Sequence, residues 1–270
     1  DLVLEKGAQR IVELGYGREE DLGKIESSGR LEGADASKVS NRAKARGRDQ
    51  LGTMGAGNHF VEVGRVEKIF SSADAEKFGL FENQITILIH TGSRGLGHQI
   101  ATDYIRVMMN VMPKYKISLP DRELACAPFD SKEGQDYFSA MQAGANFAWA
   151  NRQLITWEVR ESWKKAGLKG ELKILYDVAH NLAKEEEYFG EKVVVHRKGA
   201  TRAFPGEPVL IPGSMGTASY VLVGLEGSMQ NTFGTTCHGA GRAMSRTEAR
   251  RKIQGKSLKE KLEGEGIRIR

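Results

Sequence analysis

Four of the six histidines in this 270-residue chain stand where a predicted strand stops or a glycine-rich loop begins. They are His59, His90, His180 and His238. Strand ends are places where a rigid scaffold holds metal ligands or nucleophiles, and imidazole serves in both roles. The constraint on folding is strong, because these distant strand ends must converge if the four side chains act together.

The hydrophobic pattern predicts an α/β (α+β) fold. The chain is long enough and, at 40% hydrophobic residues, apolar enough to build a real core. We expect one domain over residues 1–270, with a mixed β-sheet core, flanking helices and loops that converge on one central site. Residues 18–40 are polar and glycine-rich, and we expect them on the surface. The period of the apolar residues predicts strands at 59–69, 84–90, 171–180, 192–196, 209–211 and 220–223, and helices at 2–14, 38–50, 98–112, 130–167 and 242–254.

The charge is basic and unevenly distributed. The net charge is +5, and the excess is concentrated in two blocks, at residues 42–48 and 242–256. A solvated charged face explains such blocks, and so does a surface that follows a phosphate backbone. Net charge alone does not choose between these two explanations.

The cysteine content and the apolar runs exclude several classes of protein. The two cysteines, Cys126 and Cys237, form no CxxC pair, which excludes a zinc ribbon and a disulfide framework. No apolar run approaches the ~18–20 residues of a membrane span, so we expect no membrane partner. We also expect no secretory signal, because the first residues lack a basic flank followed by an apolar region. These features predict a cytoplasmic protein.

Three of the histidines form a candidate metal-binding set. His59, His90 and His180 each stand beside Asn, Gly or Thr at a predicted strand end. Neutral imidazole is the usual nitrogen ligand for borderline divalent metals. The spacing matches no short zinc motif, so hydrogen-bonded structural histidines remain the alternative.

The fourth histidine lies in a segment that is almost free of large side chains, residues 231–242. There His238 can attack a phosphorus atom while backbone amides and Arg242 carry the charge on the phosphoryl oxygens. A helix-capping role for this histidine is the alternative.

Three further segments have the composition of phosphate or nucleotide sites. Residues 92–97 form a glycine-rich turn between a strand and a helix, where free amides and the helix dipole favour an anion. The loop at 212–220 is similar to a nucleotide cradle but lacks the lysine of a P-loop. The basic segment 196–202 suits nucleic-acid contact and a plain surface turn equally well.

Six phrases of the sequence resemble, in the same order, those of the RtcB family of GTP- and manganese-dependent RNA ligases. They are GAGNHFVEV at 55–63, HTGSRGLGHQ at 90–99, YDVAHN at 176–181, RKGATRAF at 197–204, PGSMGTASY at 212–220 and HGAGRAMSR at 238–246. The resemblance covers nearly the whole chain. It implies ligation of an RNA 3′-phosphate or 2′,3′-cyclic phosphate end to a 5′-hydroxyl end, in tRNA splicing and RNA repair.

The resemblance also implies roles for individual residues. His238 would be the nucleophile that takes GMP from GTP, and His59, His90 and His180 would bind two Mn²⁺ ions. Arg94 and Arg242 would hold RNA or nucleotide phosphate. The expected partners are RNA, as tRNA exon halves or broken ends, and an archease-type activator. By resemblance, the site that binds GTP comprises Asn58, His59, Phe60, Val61, Glu62, Arg94, His180, Asn181, Pro212, Gly213, Ser214, Met215, Ser219, His238, Gly239, Ala240, Gly241 and Arg242.

The chain departs from the family pattern at both ends. It contains neither the upstream aspartate and metal-bridging cysteine motif nor the C-terminal lysine segment that contacts guanine. We therefore expect an incomplete catalytic domain that holds two metal ions weakly, since no thiolate bridges them. A two-metal phosphoesterase and a non-catalytic RNA-binding fragment are the alternative functions.

Overall fold

A computed structural model describes residues 1–214, 216–239, 246–252 and 255–269. The α/β class is confirmed, because helices and short strands alternate along the chain. The helices predicted from the sequence near residues 2–14, 38–50, 98–112 and 130–167 are all present. In the described residues the helices are α1 (Leu2–Glu13), α2 (Glu19–Leu22), α3 (Asn41–Arg48), α4 (Ser72–Phe78), α5 (Arg94–Val111), α6 (Lys132–Lys165), α7 (Gly227–Thr232), α8 (Arg246–Lys252) and α9 (Gly255–Gly264).

The long helix α6 organises the core. Ser131 caps its N-terminus by accepting a hydrogen bond from the Gly134 amide at 3.1 Å. The middle of the helix is buried on almost all sides, and Trp149 there has no exposed surface. Helices α1 and α5 both pack against α6. One apolar cluster of this core consists of Leu4, Ala36, Val39, Ala43, Leu96, Ile100, Ala140, Ala143 and Phe147.

The strands form small antiparallel pairs instead of the expected mixed sheet. Parallel pairing among the described residues is limited to isolated bridges, Ile25 with Asp177 and Pro205 with Gly224. The two residues that join β3 to β4, Phe189 and Gly190, both have positive φ, which is the geometry of a tight hairpin turn. The described pairs are β1 (Phe60–Arg65) with β2 (Ile85–His90), β3 (Asn181–Tyr188) with β4 (Glu191–Lys198), β5 (Ala200–Arg202) with β8 (Thr235–Cys237), and β6 (Pro208–Ile211) with β7 (Tyr220–Val223).

The strand predicted at residues 171–180 is wrong. Within this segment, backbone hydrogen bonds to other segments form at Asp177, with Lys24 and Glu26, and at the His180 carbonyl, which accepts from the Gly199 amide. The Leu172 carbonyl accepts from a side chain, that of Arg160, at 2.9 Å. Alternating apolar residues indicate extended backbone, but they do not supply a neighbouring strand. Strand β3 begins at Asn181, directly after the predicted segment ends. The sequence did not predict β3 because it contains many charged residues, although two of its residues, Lys184 and Tyr188, are buried.

Residues 18–40 lie partly at the surface, as their polarity suggested, but they also contribute two buried carboxylates. Asp21 and Glu26 are 2% and 1% exposed, because each carboxylate has a buried cationic partner. Arg160 donates to both oxygens of Asp21, at 2.6 and 2.8 Å. Lys184 donates to Glu26 at 2.5 Å. Buried charges that are paired in this way fit a core despite their polarity.

Two predicted helices differ in their bounds. Helix α5 begins at Arg94, inside the glycine-rich turn, so that Gly95 and Gly97 belong to its first turn and Ser93 stands directly before it. Of the helix predicted at 242–254, the structure describes α8, and the rest lies outside the described residues. No helix in the described part of the chain is both long and apolar enough to cross a membrane.

Candidate active site

The structure brings together three of the four histidines identified in the sequence. The Nε2 atoms of His90 and His180 lie 3.1 Å apart. The rings of His180 and His238 stack, with centroids 4.1 Å apart and planes 9° from parallel. One nitrogen from each of these three side chains lies within 4.8 Å of the others, a spacing that can hold a metal ion.

A two-strand ladder places His90 at this centre. It is the last residue of β2 and pairs with Phe60, the first residue of β1. The Phe60 ring meets the imidazole edge-on, with centroids 5.4 Å apart. Because side chains alternate along a strand, Glu62 projects from the same face as Phe60 and His90, whereas Val61 projects from the opposite face.

One glycine turn joins His180 to His238. The Gly199 amide donates to the His180 carbonyl at 2.7 Å and to the Asn181 side-chain oxygen at 3.0 Å. The Gly199 carbonyl accepts from the His238 amide at 3.3 Å. Gly199 has φ +64°, a backbone conformation that favours glycine. This turn explains why two histidines 58 positions apart in the chain stack on each other.

His59 approaches the centre from the glycine-rich loop that precedes β1. Its ring and the Arg94 guanidinium both lie against the backbone of Gly55, so close that a Cβ at Gly55 would stand 1.8 Å from His59 Nδ1 and 2.4 Å from Arg94 Nη1. Arg94 also donates to the Thr53 hydroxyl at 3.2 Å. Arg94 has φ +53°, an uncommon conformation for a residue with a side chain. His59 is not part of the 4.8 Å cluster, and its role as a metal ligand stays a prediction.

Burial keeps the site imidazoles neutral. Burial, followed by the charges of His238, His59 and Arg152, lowers the pKa of His90 to about 4. Burial and the charges of His238, His90 and Arg152 likewise lower the pKa of His180 to about 4. The pKa values of His59 and His238 are lowered as well, with burial as the largest cause for each. Neutral imidazole is the form that binds metals and attacks electrophiles.

The donor set fits a divalent metal ion. The Nδ1 atoms of His59, His90 and His180 are buried and have no hydrogen-bond partner among the residues that the structure describes. A buried polar atom without a partner is costly, and coordination would satisfy ring nitrogens of this kind. The chemistry of the site therefore agrees with a metal centre.

The start of the 212–220 loop lies beside the segment that carries His238. A Cβ at Gly239 would stand 3.7 Å from the Pro212 carbonyl oxygen, which places the two segments next to each other. The loop is closed by Ser219, whose hydroxyl accepts from the Gly213 amide at 2.9 Å. Ser214 is exposed, with its hydroxyl 3.3 Å from that of Thr217.

The remaining predicted nucleotide-site residues are less constrained. Asn58, Val61 and Glu62 are exposed, and Asn181 is held by the Gly199 turn. Their contacts with GTP stay predictions. Met215, Ala240, Gly241 and Arg242 lie outside the described residues.

The basic segment 196–202 has a structural role at its two arginines. Arg197 is 1% exposed and donates to both oxygens of Glu186, at 2.5 and 2.8 Å. Arg202 donates to both oxygens of Glu207, at 2.8 and 2.9 Å. Each guanidinium is therefore paired with a carboxylate of the same protein. The sequence suggested nucleic-acid contact or a plain surface turn for this segment, and neither role describes these two arginines.

Sequence reasoning missed two residues behind the site, Asn151 and Arg152. They lie in α6, within the helix predicted at 130–167. Polar residues in the buried middle of this helix were the available signal, since buried polar groups need specific partners.

A comparison with protein-family models identifies the family to which the chain belongs. A family model described as tRNA-splicing ligase RtcB matches residues 1–270. The chain belongs to the RtcB family. The resemblance inferred from six sequence phrases is thereby confirmed.

Curated members of the RtcB family are similar over the whole chain. The chain is 55% identical over 292 residues to the tRNA-splicing ligase RtcB of Pyrococcus horikoshii, covering 100% of this chain and 34% of that protein. It is 55% identical to the protein of the same name from Thermococcus kodakarensis and 52% identical to that from Archaeoglobus fulgidus, covering 100% of this chain and 60% of each protein. The chain thus spans between a third and three fifths of these relatives.

Proposed function

We propose that this chain is the histidine-bearing part of an RNA ligase. The reaction joins an RNA 3′-phosphate, or a 2′,3′-cyclic phosphate after its hydrolysis, to a 5′-hydroxyl end. GTP supplies the activating group, and tRNA exon halves or other broken RNA ends are the substrates. Membership of the RtcB family and the names of the relatives support this function.

The observation that carries the proposal is the position of His238. Its ring stacks on His180 and lies 5.4 Å, centroid to centroid, from His90, while its lowered pKa keeps it neutral near pH 7. A neutral ring nitrogen has a free electron pair for attack on the α-phosphorus of GTP. The new P–N bond forms as the bond to the β-phosphate oxygen breaks, and pyrophosphate carries away the electron pair.

The neighbouring residues support this attack. A divalent ion, Mn²⁺ by resemblance, supplies Lewis-acid charge neutralisation when bound. His90 and His180 would hold it, with His59 as the third predicted ligand and Arg94 beside it for phosphate charge. Stacking against His180 fixes the orientation of the His238 ring, and phosphoryl transfer depends largely on such positioning.

The basic helix α3 favours an RNA substrate. Arg42, Arg46 and Arg48 are exposed on it, and Arg46 donates to the neutral side chain of Gln99 at 2.9 Å. Arg46 Nε would also be 3.4 Å from a Cβ at Gly95, which places this guanidinium at the N-terminus of α5, next to Arg94. Exposed arginines on α3, with Arg46 next to Arg94 of the site, suit the binding of a phosphodiester backbone. An archease-type activator remains part of the proposal by resemblance alone.

Labelling the protein with GTP tests the proposed function. The chain is incubated with Mn²⁺ and GTP labelled at the α-phosphate, and acid-labile label on the denatured protein is measured. We expect label on the unaltered chain and on His98→Ala, a control that removes an exposed histidine of α5, but none on His238→Ala.

Other outcomes identify the alternatives. Label that survives His238→Ala removes this residue from its role. Release of phosphate from a 3′-phosphorylated RNA without any protein adduct identifies a two-metal phosphoesterase. RNA binding without label or hydrolysis identifies a non-catalytic binding fragment.

A further inference from the structure

Two adjacent buried residues of α6 contact all three segments that carry the predicted metal-binding histidines. Asn151 is completely buried, and both the oxygen and the nitrogen of its side-chain amide form hydrogen bonds. Its Oδ1 accepts from the Thr53 amide at 3.0 Å, and its Nδ2 donates to the Thr53 carbonyl at 3.2 Å. The same Nδ2 donates to the Gly92 carbonyl at 3.2 Å. Asn151 thereby ties the loop before His59 to the residues that follow His90.

Arg152 connects the second of these segments to the third. Its Nη1 donates to the Thr91 carbonyl at 3.1 Å, one residue after His90. Its Nε donates to the two oxygens of Asp177 at 2.8 and 3.0 Å, three residues before His180. Arg152 as a whole is 8% exposed, so solvent competes little for these bonds.

The far side of Asp177 is anchored in turn. Its amide donates to the Lys24 carbonyl at 2.9 Å, and its carbonyl accepts from the Glu26 amide at 2.8 Å. The Glu26 carboxylate accepts from the Ala179 amide, next to His180, at 2.9 Å. Asp177 is therefore a fixed point, and Arg152 transmits its position to the strand end that carries His90.

We propose that Asn151 and Arg152 form a positioning hub that sets the distances among His59, His90 and His180. The proposal rests on the proposed function in one respect, that these histidines bind metal. The three histidines come from loops and strand ends far apart in sequence, and the hub residues are neighbouring side chains of one rigid helix that together reach all three segments. Buried hydrogen bonds fix the groups that they join, and the Arg152 Nη2 atom adds an ion-pair contact with Asp177 at 2.7 Å.

The same helix supplies matched controls. Asn146 is also completely buried and bonds to the Leu31 amide at 2.7 Å and to the Leu4 carbonyl at 3.0 Å, both remote from the histidines. Arg160 is buried and pairs with Asp21. Substitution of a control removes an equivalent buried bond set, so the controls match the hub residues in chemistry and differ in location.

The experiment compares Asn151→Ala with Asn146→Ala, and Arg152→Met with Arg160→Met. Mn²⁺ affinity is measured by the loss of its EPR signal on titration, and the histidine ring resonances are recorded by NMR without metal. We expect Mn²⁺ affinity to fall about 10- to 100-fold in the hub variants, the usual effect of losing groups that orient ligands. The controls should lose thermal stability but bind Mn²⁺ within about threefold of the unaltered chain.

A conservative variant, Arg152→Lys, keeps the proposal testable if the other hub variants fail to fold. Arg152→Lys keeps the charge but replaces the separate Nη1 and Nε donors to Thr91 and Asp177 with a single nitrogen atom. We therefore expect a folded protein with weakened Mn²⁺ binding and shifted His90 and His180 resonances. Folded hub variants with unchanged affinity and unchanged resonances overturn the proposal, as does equal weakening by the controls. If the unaltered chain binds no Mn²⁺, the metal role is wrong, and the metal-free resonances still decide whether the hub positions the rings.

Discussion

The substitution Gly55→Ala tests whether the position of the His59 ring matters for metal binding. A methyl group at this position would stand 1.8 Å from His59 Nδ1, whereas ordinary van der Waals contact begins at 3.4 Å. The imidazole must therefore retreat by at least about 1.6 Å in Gly55→Ala. The Arg94 guanidinium, at 2.4 Å from the same methyl group, must retreat by about 1 Å.

This displacement is large on the scale of metal coordination. Ligand distances in metal sites hold within about 0.2 Å, so an imidazole that moves this far no longer binds. We expect the Mn²⁺ affinity to fall about 10- to 100-fold, which corresponds to about 1.4–2.7 kcal/mol of binding free energy. Protein stability should change less, because His59 and Gly55 are only partly buried.

The assay is isothermal titration with Mn²⁺, together with the NMR resonances of the His59 ring. Gly92→Ala is the control: it lies two residues after His90, its backbone is not left-handed, and a Cβ there meets no atom of the described residues within 4 Å. We expect this control to bind Mn²⁺ like the unaltered chain. A folded Gly55→Ala variant with unchanged affinity would show that His59 is not a ligand.

Three further predictions concern the metal, the core and the RNA surface. His90→Ala should lower the bound metal per chain, as measured by elemental analysis; an unchanged ratio would reject the ligand assignment. Burial acts to raise the pKa of Asp21, but hydrogen bonds from Arg160, the Arg18 amide and Gln153 hold it below its usual value. The ion pair between Asp21 and Arg160 therefore stabilises the fold fully above the unfolded-state pKa of Asp21, near 3.8, and this stabilisation is lost as the pH falls through the lower folded-state pKa. In Asp21→Asn, the free energy of unfolding measured with urea should depend less steeply on pH in the acid range. Arg160→Met should cost about 3–5 kcal/mol at pH 7, and a loss below about 1 kcal/mol would contradict the pairing. Arg46→Gln should weaken single-stranded RNA binding and reduce the salt slope by about 0.7, whereas Arg65→Gln should leave both unchanged; equal effects would point to net charge alone.

The sequence by itself singled out four histidines as candidates for one shared site: His59, His90 and His180 as metal ligands and His238 as the nucleophile. The structure places His90, His180 and His238 within one small cluster, and the role of each residue stays a prediction. Strong local patterns also predicted β2 and α6 correctly, because an apolar period is a property of neighbouring residues. The order of six short phrases was enough to predict the family.

Only the tertiary structure decided how these parts are held. The stacking of His180 on His238 depends on the Gly199 turn, and the spacing of His90 depends on Arg152 and Asp177. Residues 171–180 have the alternation of a strand, yet their backbone groups bond to an isolated bridge at Asp177, to the Gly199 turn and to the Arg160 side chain. Hydrogen bonds between residues distant in sequence leave no periodic trace, so a local pattern predicts which backbone is extended and not which groups will bond to it.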